Sequence, residues 1–188
     1  MRLVVYYVAQ SLDGFIAQVD GDMDWLTELS AGAEDDGGYT AFLRGVGTVV
    51  MGRRTYDDCL RLNSGMWPYA GKEAFVFSRD ATLQSANVTF VTDDPIKFVR
   101  NLRAAAPSPL SPPQGDVWFI GGSALAGLLL DAGLIDRIVV TIAPIILGAG
   151  VPTFGPPVGD GVRDVRLALY RSHTLTNGMV TLEYNVNI

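Results

Sequence analysis

The chain has 188 residues, 48% of them hydrophobic and 18% charged, with a mean hydropathy of +0.24. That is ample material for a core and excludes intrinsic disorder. Twenty acidic residues against 14 Lys and Arg leave a net charge of −6, which excludes a broad nucleic-acid-binding surface, so any anionic ligand must be met locally. One cysteine, Cys59, and one histidine, His173, exclude a disulfide framework and a Cys/His zinc cluster, so no metal site is expected.

The length predicts one domain over residues 1–188. The N-terminal MRLVVYYVA is too short to span a membrane and lacks a small-residue cleavage site, so a cytoplasmic protein with no membrane partner is expected. Leu3 to Ala9 reads as a buried strand. The polar, Gly-rich stretch from Gln10 to Gly38 is too long for an idle connection. Tyr39 to Val46 reads as a helix, Thr48 to Met51 as a strand, and Gly52 to Leu60 as the start of a helix. Ala74 to Ser78 and Val88 to Val91 are further strands.

Asp94-Pro95 supplies an N-cap and a first-turn proline for a helix whose Ile96, Val99, Leu102 and Ala105 share one face. Pro107 to Gln114 reads as a surface loop. Asp116 to Ile120 is a strand, Ser123 is placed to cap a helix running to Asp131, Gly133 stops it, and Arg137 to Ala143 is the next strand. Val165 to Ser172 and Met179 to Val186 flank Thr176-Asn177-Gly178, a hairpin signal. Short buried strands between helices predict a mainly parallel sheet, and the hairpin adds an antiparallel edge, giving an α/β fold with a mixed sheet.

Three strand ends carry candidate chemistry. In Met51-Gly52-Arg53-Arg54-Thr55 a strand ends in glycine and opens into a helix, whose N-terminal amides and two arginines suit a phosphate. The same residues can equally solvate a helix start. Ile120-Gly121-Gly122-Ser123-Ala124-Leu125 repeats the pattern with a glycine pair that lets a ligand lie against backbone, or forms a tight turn without one. Two such turns in one sheet favour a dinucleotide, each holding part of a pyrophosphate. At Phe77-Ser78-Arg79, a hydroxyl and a guanidinium suit a 2′-phosphate and tilt the choice to NADPH, although Arg79 could be merely solvated.

No G-x-G-x-x-G, Walker A, H-E-x-x-H or G-x-S-x-G sequence occurs. Glu34-Asp35-Asp36 can complement the dipole of the following helix, Asp13 can be a turn residue, and Trp25 can be core. His173 reads as a surface or satisfied strand histidine without a role.

Taken in order, these residues resemble the dihydrofolate reductase superfamily. Within it, the chain is most similar to stand-alone reductase domains like the C-terminal half of the bifunctional riboflavin biosynthesis deaminase/reductase. The matching stretches are Ser11 to Ala17, Met51 to Tyr56, Phe77 to Arg79, Phe119 to Leu125 and Ala143 to Phe154. The resemblance implies a three-layer fold with helices on both sheet faces, and a homodimer. It implies NADPH held between the Gly52 and Gly122 turns by Arg54, Thr55, Gly121, Ser123, Ala124 and Leu125, with the 2′-phosphate near Arg53, Ser78 and Arg79. The nicotinamide would lie against Ala9 and the Asp13 to Ala17 loop, which includes Ile16.

The implied reaction is hydride transfer to a heterocyclic substrate, 5-amino-6-(5-phosphoribosylamino)uracil in the riboflavin branch. Trp25, Asp35, Leu147 and Gly148 are the implied substrate contacts, and Asp36 and Asp13 the implied catalytic carboxylates. Two further readings are a dihydrofolate reductase-like activity on a pterin and an NADPH-binding module without turnover. Ile120 precedes the glycine pair as in dihydrofolate reductases, where the riboflavin branch commonly has an acid. No H-x-E or P-C-x-x-C sequence is present, so deaminase activity is not expected.

Overall fold

The computed structural model describes residues 1–31, 34–106, 112, 115–159 and 163–187. The first half of the chain forms β1 (Val4–Ser11), β2 (Phe15–Ala17), α1 (Asp24–Ser30), α2 (Tyr39–Gly45), β3 (Val46–Gly52), α3 (Arg53–Leu62), β4 (Glu73–Phe77) and β5 (Thr89–Val91). There follow α4 (Pro95–Ala104), β6 (Asp116–Gly121), α5 (Ser123–Asp131), β7 (Arg137–Ala143), β8 (Val151–Pro152), β9 (Arg166–Thr174) and β10 (Val180–Asn187).

Eight strands form one sheet in the order β5-β4-β3-β6-β1-β7-β10-β9. The pairings from β5 to β7 are parallel, and those of β10 with β7 and with β9 are antiparallel. Strand alternation sorts the core onto two faces. Tyr6, Val50 and Phe119 point to one face, where they meet Val99 of α4 and Ala126 and Leu129 of α5. Val49, Met51 and Trp118 point to the other, where Tyr7, Phe42 of α2 and Tyr56 of α3 cover them. The result is the expected three-layer α/β fold with a C-terminal antiparallel hairpin.

Local signals explain most element boundaries. The Asp94 carboxylate accepts from the Lys97 amide at 2.8 Å, with Pro95 in the first turn of α4. Gly133, at φ +65°, follows α5, and its amide donates to the Leu130 carbonyl at 3.0 Å. Ser123 departs from expectation: Gly122 is the N-cap of α5, Ser123 is its first helical residue, and no side chain caps it.

The stretch from Gln10 to Gly38 holds structure that its polarity hid. α1 is anchored by Trp25, buried against Ala143, Leu175 and Met179, and β2 pairs with β8 in a separate two-stranded ribbon. Gly150 permits that ribbon, because a Cβ there would lie 2.2 Å from the Ala17 carbonyl oxygen. The expected loop over 107–114 lies, apart from Pro112, outside the described residues. No helix among the described residues is long and apolar enough to cross a membrane.

Candidate functional site

The parallel sheet brings the carboxyl ends of β3, β6 and β1 side by side. Met51 pairs with Gly121, so the strand-to-helix turns at Gly52 and Gly122 stand adjacent. Both N-cap glycines have extended backbone and neither helix has a side-chain cap, which leaves the first-turn amides of α3 and α5 without side-chain acceptors. The Gly121–Gly122 peptide is cis.

A cleft of about 310 Å³ opens at these turns, lined by Ala9, Ile16, Thr55, Gly121, Gly122 and Ser123 among others. The Oγ of Ser123 is buried there without a hydrogen-bond partner. A Cβ on Gly121 or Gly122 would make ordinary contact with the Thr55 hydroxyl, at 3.4 or 3.5 Å, and it is the φ of +151° at Gly121 that disfavours a side chain there and leaves bare backbone facing the cleft. Orphan amides, an orphan hydroxyl and a glycine floor together fit an anionic, phosphate-bearing ligand.

The arginines divide. Arg54 lines the cleft, but its Nη2 donates to the Asp20 carbonyl at 2.9 Å and its guanidinium occupies the space a side chain at Gly21 would take. It therefore holds the loop after β2 over the cleft. Arg53 points the other way, its Nε donating to both Asp57 oxygens at 2.8 and 2.9 Å. With Ser78, Arg79 and Leu125 it lines a second cavity of about 690 Å³ beyond the turns. The predicted Arg53, Ser78 and Arg79 are thus brought together, joined by Asp80, Asp93 and Asp94. Ala124 is exposed at the start of α5, and the Gly155 amide donates to the neighbouring Ser123 carbonyl at 2.8 Å.

The predicted carboxylates lie elsewhere. Asp36 accepts from the Gly38 and Thr40 amides at 2.9 and 2.8 Å, tying up the start of α2. Its carboxyl is held below the usual range by Thr40 above all. Asp35 is hydrogen-bonded to His173 Nε2, which does the same to Asp35. Both aspartates line a different cavity, of about 900 Å³, walled by α2, β7, β9 and β10. There Glu183 bridges Arg137 and Arg171, each at 2.9 Å. The structure therefore does not bring Asp35 or Asp36 to the Gly121–Gly122 cleft, because the Gly37-Gly38 turn directs both carboxylates onto backbone amides or His173.

Asp13 binds the Leu147 and Gly148 amides at 3.1 and 2.7 Å and accepts from the Ser11 hydroxyl at 2.6 Å. These three predicted residues meet, as a clasp between loops rather than as walls of the cleft. Trp25 is 5% exposed and belongs to the core.

Sequence reasoning passed over Asp58, Cys59 and Tyr69, which line the cleft. Asp58 lies four residues after Arg54 and Cys59 four after Thr55, so helical spacing from the arginine motif would have placed both on the cleft side of α3. Tyr69 comes from the loop after α3, which carries no periodic signal. Burial pushes its phenol well above the usual tyrosine range and the Cys59 thiol up to about 11, so both stay protonated at neutral pH.

Residues 112–181 match the model of the RibD C-terminal domain family. The uncharacterised protein YwjB of Bacillus subtilis strain 168 is 34% identical over 154 residues, covering 81% of this chain and 83% of YwjB. The riboflavin biosynthesis protein RibD of Mycobacterium tuberculosis is 30% identical over 161 residues, which span 79% of this chain and 44% of RibD. Among solved structures, a candidate riboflavin biosynthesis protein from Shewanella sp. PV-4 superposes with a TM-score of 0.81 at 28% identity, over 99% of both chains.

The Asp13 clasp has a direct test. The Ser11 hydroxyl chiefly, with the Leu147 and Gly148 amides, holds the Asp13 carboxyl below the usual range. Its contribution is present above the unfolded-state pKa and is lost only as pH falls through the lower folded value, so the clasp is intact at neutral pH. Asp13→Asn is expected to speed amide exchange at Leu147 and Gly148 while leaving the Gly155 amide unchanged. Unaltered exchange at 147 and 148 would show that Asp13 does not hold this loop.

Proposed function

The chain belongs with YwjB to the proteins similar to the RibD C-terminal domain, within the dihydrofolate reductase-like superfamily, and on that premise we propose that it is a cytoplasmic, NADPH-dependent reductase. Its proposed substrate is a heterocycle of the class of 5-amino-6-(5-phosphoribosylamino)uracil. The observation that carries this reading is the convergence of two uncapped helix N-termini on one glycine-floored cleft.

In this reading the α3 and α5 amides and the Ser123 hydroxyl hold the pyrophosphate, and Thr55 packs beneath the glycine pair. The adenosine end lies in the cavity of Arg53, Ser78 and Arg79. Ala9 and Ile16 form the apolar wall for the nicotinamide, and the loop held by Arg54 excludes water from above. When bound, the cofactor supplies a hydride to an electrophilic carbon, so the protein's work is orientation and dryness.

Protons are a matter for the side chains of the cleft. Asp58, which pairs on its own helix with Arg61 at 3.3 Å, is the carboxylate among the cleft-lining residues, and the Tyr69 phenol, whose neighbours are Tyr39 and Cys59, is a neutral hydroxyl on the same cleft. We assign proton handling to these two in place of Asp36 and Asp13, which are occupied with backbone amides. A homodimer completes the reading: β9 is a sheet edge with every residue exposed, including Leu169 at 58% and Tyr170 at 60%, a surface that a second copy would cover.

Two measurements test the proposal. NADPH at about a hundredfold over its dissociation constant is expected to stabilise the fold by roughly 2.7 kcal/mol in a thermal-shift experiment. No shift would remove the cofactor assignment. With the ribosylaminouracil phosphate as substrate, Asp58→Asn is expected to slow turnover by about a hundredfold, the low end of general acid–base effects, and Asp36→Asn to change it little. The reverse ranking would return the proton to Asp36.

A further inference from the structure

The cavity assigned to the adenosine end holds more negative than positive charge. Arg53 and Arg79 line it, and so do Asp80, Asp93 and Asp94. Arg53 is already neutralised in part by the two-oxygen contact with Asp57, and its guanidinium carbon lies 5.8 Å over the Phe90 ring. The Asp94 carboxylate is engaged at the start of α4. Asp80 accepts from the Thr82 amide and hydroxyl at 2.9 and 2.6 Å, which fixes an ionised carboxylate at the rim. Asp93 is exposed and has no hydrogen-bond or ion-pair partner among the described residues.

A 2′-phosphate held in this cavity would be met by Arg79 and by an Arg53 already engaged with Asp57, and opposed by the carboxylates of Asp80 and Asp93, which line the same cavity. An unphosphorylated ribose brings two hydroxyl donors, for which the same carboxylates are acceptors. Selectivity is the difference between these two affinities, and repulsive groups set it as much as attractive ones.

We propose that Asp80 and Asp93 set the cofactor selectivity of this chain, offsetting Arg53 and Arg79 so that NADH and NADPH bind within about tenfold of each other, a difference below roughly 1.4 kcal/mol. Arg79 supplies the residual preference for the phosphate, and Asp93, exposed and without a partner among the described residues, is the stronger opponent of it. The inference rests on the dinucleotide assignment above and deepens it, because it concerns which dinucleotides the same site accepts.

Isothermal titration of the intact chain with NADPH and NADH, at one fixed ionic strength, tests it without reference to turnover. The expected dissociation constants differ by less than about tenfold. Asp93→Asn is expected to tighten NADPH severalfold and Asp93→Lys to tighten it further, with NADH unchanged or weakened in both. Arg79→Ala is expected to weaken NADPH alone. A wild-type preference for NADPH of tenfold or more overturns the proposal, as does an Asp93 series that shifts both cofactors alike or neither. Binding of neither dinucleotide overturns the underlying cofactor assignment instead, and the selectivity proposal falls with it.

Discussion

The register between β3 and β6 governs the molecule. With Met51 opposite Gly121, the two strands end level with one another, and each turns at once into a helix. Parallel strands place both helix N-termini at the same edge of the sheet, so their unpaired amides point at a common space. A one-residue slip of β3 against β6 would turn Val50 away from the face it shares with Phe119, α4 and α5 and separate the glycine turns. Core packing and the candidate site are thus two consequences of one pairing.

Around that space the fold adds covers rather than chemistry. Arg54 reaches from α3 to the Asp20 carbonyl and holds one loop, the β2–β8 ribbon holds a second, and Asp13 fixes Leu147 and Gly148. The Tyr6 hydroxyl donates to the Thr153 carbonyl at 2.9 Å, tying the segment after β8 to the central strand. These contacts explain why so many conspicuous polar residues outside the cleft are structural. A charged side chain near a ligand site is often the strut for a loop, and its hydrogen-bond partners distinguish the two roles.

Much of this was legible in the chain itself. The bounds of β7 and the capped start of α4 follow directly from apolar runs and from Asp94-Pro95. The glycine turns were visible because each glycine stands between an apolar strand run and a helix start, and two such turns fall in one sheet. What stayed hidden had physical reasons. α1 is seven residues long, with Trp25 buried and Leu26 and Leu29 packed beside it, and β2 is three residues long, so neither runs far enough to show a period. The direction of Asp36 was invisible because it depends on the left-handed turn at Gly37 and Gly38, which aims the carboxylate at backbone amides. The opposition of Asp80 and Asp93 to Arg79 needed the β4 and β5 ends to be brought together in space.

The central claim is that a dinucleotide pyrophosphate sits between the N-termini of α3 and α5. A crystal structure of the chain soaked or grown with NADPH tests it most directly. The account predicts phosphate oxygens on the amides after Gly52 and Gly122 and on the Ser123 hydroxyl, with the nicotinamide ring against Ala9 and Ile16. Density for the cofactor in the cavity of Asp35, Asp36 and His173, with the glycine cleft left to solvent, would contradict it.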